Sequence, residues 1–112
     1  MGSTPVVLYE EAIAEARAAR EWYEARSATA AQAFFAELDY AIEQIGELPE
    51  LWPTYIEGTR RYLLHRFPFS VVYRKRRTSI QVIAVAHNRR RAGYWKSPRR
   101  QTSVAFSATN GF

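Results

Sequence analysis

His87, Asn88 and the triplet Arg89, Arg90, Arg91 follow directly on an apolar run, SIQVIAVA, and a second cationic group, Arg74, Lys75, Arg76 and Arg77, lies just ahead of it. Side chains of these types can do two kinds of chemistry. Guanidinium groups grip phosphate or carboxylate in a bidentate fork, and a histidine that titrates near neutral pH can shuttle a proton. Tyr94 and Trp95 add two aromatic rings of the kind that anchor interfaces. A plainer role is open to each: His87 as a strand-end residue hydrogen-bonded to a helix hairpin, the two aromatics as packing of the last segment on a sheet. Basic groups at strand ends face a partner rather than the core. The stretch from Arg60 to Trp95 is therefore expected to present one concentrated cationic face.

The charge map sharpens that expectation. All 11 acidic residues fall within residues 1–57 beside only Arg17, Arg20 and Arg26, a net of −8, whereas residues 58–112 hold the other 13 basic residues and no acid, a net of +13. A half with a single sign of charge points to a polyanionic partner, either nucleic acid or a protein segment rich in Asp and Glu. Pairing between the two halves of the fold is the alternative. The 112 residues suit one domain. The absence of cysteine excludes a disulfide framework and thiolate zinc sites, and two isolated histidines supply no metal cluster, so no metal or cofactor is expected. No run approaches the ~20 apolar residues of a membrane span. Met-Gly-Ser-Thr-Pro lacks the regions of a signal peptide. A cytoplasmic protein is expected, with no membrane and no small-molecule substrate among its partners.

The elements that must position these groups are legible from periodicity. Val6, Val7 and Leu8 after Pro5 form a first strand, and Glu10 and Glu11 open a helix to about Ala25 whose stripe is Ile13, Ala16, Ala19 and Tyr23, with Trp22 at its edge. Thr29 and Gln32 have the spacing of a capping box for a second helix. Ala31, Phe34, Phe35, Leu38, Ala41, Ile42 and Ile45 give that helix one wide buried face. The short link between the helices makes them an antiparallel hairpin across the sheet. Gly46 and Pro49 end the second helix, and residues 50–59 form a loop. Strands are expected at 60–67, 69–74 and 79–86, with Pro68 at a turn and residues 76–79 turning the chain back. In the last strand Val82, Ala84 and Ala86 share one face, while Ile80, Ile83 and Val85 do not alternate cleanly with them. Such continuous apolarity suits a central strand covered on both faces. The sum is an α+β fold of order β-α-α-β-β-β, a helix hairpin packed on a mainly antiparallel twisted sheet.

In this order and spacing, the segments EAIAEARAAREWYEARS, AFFAELDYAIEQIGELPELWP, RRYLLHRFPFSVVYR and VIAVAHNRRRAGYW resemble the RelE/ParE superfamily of toxins from bacterial type II toxin-antitoxin systems. The resemblance covers residues 5–96. It leaves residues 1–4 as a disordered or vector-derived N-terminus and 97–112 as a flexible tail. It implies a small toxin neutralised by a cognate antitoxin, whose acidic segment would suit the +13 half. Two branches differ in action. In the RelE-like branch the toxin cuts mRNA on the ribosome, which would assign proton transfer and phosphate binding to Arg61, His87, Arg90 and Tyr94; where that branch has further cations, this chain has Leu63, Ser70 and Asn88. In the ParE-like branch the toxin inhibits DNA gyrase by protein-protein binding. The HNRRRAGYW ending and the FPFSVVYR strand are more similar to this branch. Partner contacts would then fall to Arg74, Lys75, Arg76, Arg77, Arg89, Arg90, Arg91, Tyr94 and Trp95. A non-toxic domain that binds nucleic acid through its basic face is a third reading.

Overall fold

The computed structural model describes residues 4–96 and the backbone of 101–105. Strand β1 (Val6–Tyr9) runs without a loop into helix α1 (Glu10–Glu24), which is followed by helix α2 (Ala28–Glu47) and strands β2 (Arg60–Leu63), β3 (Phe69–Lys75), β4 (Ile80–His87) and β5 (Gln101–Ala105). The sheet order is β2-β3-β4-β1-β5. Pairing is antiparallel throughout except where β1 joins β4 in parallel. The expected α+β order is the one observed. Of the segment expected as a flexible tail, residues 101–105 form β5 beside β1. Residues 97–100 and 106–112, like residues 1–3, lie outside the described residues. No helix among the described residues is long and apolar enough to cross a membrane.

Local chemistry explains where each helix starts. Glu10 and Glu11 sit in the first turn of α1, where the helix dipole favours acids. At α2 the cap is Ser27, not Thr29: Ser27 has extended backbone and its hydroxyl accepts the Ala30 N–H at 3.1 Å. Thr29 already has helical backbone, so the expected Thr29/Gln32 capping box does not form. The stripe of α2 buries Ala31, Phe34, Leu38, Ala41, Ile42 and Ile45, with Phe35 half-buried beside Arg20. On α1 the buried positions are the small residues Ala12, Ala16 and Ala19, which let that helix lie close on the sheet. Tyr23, Phe34, Phe67 and Phe69 interlock at centroid separations of 5.1 to 6.5 Å, closing one end of the core.

Two strand boundaries depart from expectation for a reason outside the strands. β2 ends at Leu63, not at 67, because Glu37 of α2 accepts the backbone N–H groups of His65 and Arg66 and pairs with the Arg66 guanidinium at 3.3 Å. Those amides are thereby withdrawn from the ladder. In β4, Val72 lies opposite Ala84 but Tyr73 lies opposite Val82, so Ile83 is an extra, bulged residue. The bulge flips the alternation. Val82 faces the helices with Ile80 and Val85, whereas Ile83, Ala84 and Ala86 face away, against Val72 and Trp95. Val82 therefore does not share a face with Ala84 and Ala86 as its spacing suggests.

Two titratable side chains, the buried Tyr73 and the half-buried Asp39, give stability predictions. The Tyr73 side chain is fully buried and its hydroxyl donates to the Pro49 carbonyl at 2.6 Å, with burial pushing its pKa up to about 12. Tyr73→Phe is expected to lower stability by about 1 kcal/mol in a urea titration, the usual net worth of one such bond. The Asp39 carboxyl is raised above its ordinary range, first by burial and then by the nearby charge of Glu43. A raised acid binds its proton more tightly folded than unfolded, so this group's contribution is present at low pH and is lost as pH rises through the raised value. Asp39→Asn should therefore raise the melting temperature at pH 7 and leave it nearly unchanged at pH 3.

Candidate partner-binding site

The site is built where β4 outruns β1. Pairing between them ends at Leu8 opposite Val82, because the chain then turns into α1, and the later part of β4 has no strand on that side. An open backbone donor there needs a partner. Glu15 of α1 supplies it: one carboxylate oxygen accepts the Val85 N–H at 2.9 Å and the other accepts the Tyr94 hydroxyl at 2.6 Å. One acid thus ties helix, strand end and the final turn together. Glu15 is absent from the sequence-derived candidates. The available signal was its spacing of four residues from both Glu11 and Ala19, which puts it along the apolar stripe.

On the side of the sheet away from the helices, the single-turn 3-10 segments Ile56–Gly58 and Tyr94–Lys96 cover β3 and β4. Between Tyr55 and the second of these turns lies a cleft of about 30 Å³, roughly the liquid volume of one water molecule. Arg61, His87, Arg90 and Tyr94 line it together, so the four residues implied for proton transfer do meet. Their individual bonds are the more informative fact. The Arg61 guanidinium lies 4.2 Å from the centre of the Tyr55 ring, and that of Arg90 lies 3.8 Å from the centre of the Tyr94 ring. His87 Nδ1 accepts the Arg89 N–H at 3.1 Å, and its ring meets Phe69 edge-on at 5.0 Å. His87 is held by its own turn rather than by the helix hairpin. Ser70 donates to Asn88 Oδ1 at 2.5 Å, making a neutral polar pair in the same cleft. Leu63 is exposed on β2.

Trp95 is not a surface anchor. It is only 4 % exposed and packs with Val72, Ile83, Ala84 and Ala86, because the bulge at Ile83 turns an apolar surface toward it. Nor do the two cationic groups share one face. Phe69 pairs with His87 and Lys75 with Ile80, so Arg89–Arg91 follow one end of the β3–β4 hairpin and Arg74–Arg77 form the other. At about 3.3 Å per residue, the eight residues of β4 hold them more than 20 Å apart. Some charge is also spent within the fold: Arg66, Lys75 and Lys96 pair with Glu37, Glu50 and Glu57 of the acidic half at 3.3 to 3.5 Å.

A second concavity was not foreseen. A groove of about 450 Å³ opens between α1 and the His87 end of the hairpin, with Ala18, Trp22, Tyr23, Pro68, Phe69 and Val85 among its walls. Trp22 is 54 % exposed, and Arg26 lies 3.6 Å above its ring. His87, Arg90 and Glu15 also line the groove, and the first two are shared with the cleft. An apolar floor with arginine and histidine at its rim can take apolar side chains from a protein segment that carries acids beside them. Among the described residues no three His, Cys, Asp or Glu side chains are grouped to hold a metal ion.

The family described as ParE toxin of type II toxin-antitoxin system, parDE, matches residues 6–92. The chain belongs to the ParE toxin family. A solved structure titled as the chromosomal ParDE toxin-antitoxin system from P. aeruginosa shares the fold of this ParE-family chain, with a TM-score of 0.67 at 18 % identity over 76 % of this chain and 96 % of that one. No curated protein sequence matches it. The family match takes in the groove, the cleft floor and the arginine triplet, and stops two residues before Tyr94.

The turn that carries Tyr94 in this ParE-family chain depends on Gly93, whose φ is +81°. A Cβ there would approach Ile56 Cδ1 to 3.1 Å and Lys96 Cε to 3.0 Å. Gly93→Ala is expected to lose about 1–2 kcal/mol from the left-handed backbone alone. Amide exchange at residues 94–96 should accelerate, while exchange in α2 stays as it was.

Proposed function

We propose that this ParE-family toxin is neutralised by a cognate antitoxin and, when released in the cytoplasm, arrests growth by binding DNA gyrase. The observation that carries the reading is the engagement of Tyr94. Its hydroxyl is bonded to Glu15 and its ring lies under Arg90, which suits a structural tie better than an acid or base exchanging protons with a substrate. Ser70 and Asn88 complete the cleft as a neutral pair where a nuclease would gain from cations. The apolar groove beside Arg90 suits a protein ligand, and an acidic antitoxin segment matches its rim.

Induction in cells with two readouts tests the target. Filamentation with a DNA-damage response and intact mRNA is expected, whereas transcripts cut within translated codons would establish a ribosome-dependent endonuclease instead. Tyr94→Phe is expected to leave killing intact and to cost about 1–2 kcal/mol of stability. Loss of killing by a folded Tyr94→Phe protein would return the hydroxyl to catalysis. Reversing charge at Arg89, Arg90 and Arg91 together is expected to weaken antitoxin binding at least tenfold in calorimetry, and unchanged affinity would remove the triplet from that interface.

A further inference from the structure

We propose that the β3–β4 turn, carrying Arg74, Lys75, Arg76 and Arg77, is a separate binding surface for the phosphate backbone of duplex DNA. The inference does not depend on which target the toxin arrests. It starts from the separation already described, since a partner seated in the groove beside Arg90 is more than 20 Å from this turn along β4. The groove therefore gives these four consecutive cations no role.

Their setting differs from the groove in kind. On the β3 side the hairpin outruns its neighbour, since β2 begins with Arg60 opposite Tyr73 and Arg74 and Lys75 extend past it; on the β4 side Pro5 accepts the Ile80 N–H at 2.8 Å, so the turn itself, residues 76–79, is what stands beyond β1. The turn is closed by the Arg76 N–H donating to the Ser79 carbonyl at 2.8 Å, and Arg76 Nε is steadied by Gln81 at 3.2 Å. Lys75, Arg76, Arg77 and Thr78 are exposed. The pair between Lys75 and Glu50 at 3.4 Å is open to solvent on both sides, so it is readily exchanged for another anion. Residues 76–79 are Arg, Arg, Thr and Ser, with no apolar side chain. Protein partners draw most of their affinity from desolvated apolar and aromatic anchors, which this tip lacks and the groove possesses. A phosphate backbone asks for cations and hydroxyls, which is what the tip offers. The major groove of B-DNA is wide enough for a two-stranded ribbon, whereas that of A-form RNA is deep and narrow. The shape and the chemistry both favour duplex DNA.

The test uses the full chain made by cell-free expression and a fluorescein-labelled 20-base-pair duplex of arbitrary sequence, followed by anisotropy at several salt concentrations. Four neutralised phosphates set the expected slope of log K against log salt near −3.6, so affinity should fall about 100-fold between 50 and 200 mM salt. A variant with Arg74→Ser, Lys75→Ser, Arg76→Ser and Arg77→Ser should lose nearly all duplex binding at 50 mM salt and keep its affinity for the antitoxin. A variant with Arg89→Ser, Arg90→Ser and Arg91→Ser should do the reverse, which separates this site from simple net charge. The proposal is overturned if the unaltered chain does not bind the duplex at 50 mM salt, or if the two variants lose duplex binding equally. It also fails if a poly-glutamate peptide or duplex RNA displaces the DNA as effectively as unlabelled DNA does. Circular dichroism on both variants checks that the fold is retained, as expected when all the altered side chains but the half-buried Arg74 are exposed.

Discussion

Phe34→Ala is expected to cost about 3–5 kcal/mol, a large part of the 5–15 kcal/mol that holds a typical domain folded. Phe34 is 1 % exposed at the point where α2 meets the strand ends. Its ring lies 5.4 Å from Tyr23, 5.4 Å from Phe67 and 5.3 Å from Phe69, in edge-on or tilted contacts that each add to the burial term. The void cannot close by a simple shift of α2, since that helix is tied midway to the chain after β2 by Glu37 on the 65–66 amides. A urea midpoint for Phe34→Ala, compared with Phe35→Ala next to it, measures the effect. Phe35 is half-buried, so its loss should be well under half as large. Equal costs would mean that α2 presents a different face to the sheet. Because Tyr23 and Phe69 wall the groove, antitoxin affinity should also drop in any folded fraction of Phe34→Ala.

Ala18→Arg is expected to weaken antitoxin binding by at least about 100-fold, or about 2.7 kcal/mol, while leaving the melting temperature within a few degrees. Ala18 is an exposed helical residue on the groove wall, so arginine costs the helix little and places both bulk and charge in the space a partner would fill. In cells the variant should kill even when the antitoxin is co-expressed. Calorimetry with the purified antitoxin gives the same answer in vitro. An unchanged dissociation constant would show that the antitoxin does not use the groove, and the arginine triplet would then have to bind it from another side.

Much of this protein was written locally. Val6 to Leu8 as a strand, the stripe from Ala31 to Ile45, and the breaks at Pro49 and Pro68 depend on nearest neighbours and on periods of two and 3.6, so the α+β order could be read without a structure; Gly46, read as a helix end, is instead a buried residue inside α2. The polarity of charge along the chain was equally legible. What the sequence left open were features that depend on register and on which strand lies beside which. The bulge at Ile83 turned Ala84 and Ala86 outward and drew Trp95 under cover. The early end of β1 exposed the Val85 amide and made Glu15 a tie, and the eight-residue length of β4 divided the cations into two groups. Each of these joins residues ten to eighty positions apart, a distance across which local periodicity carries no information.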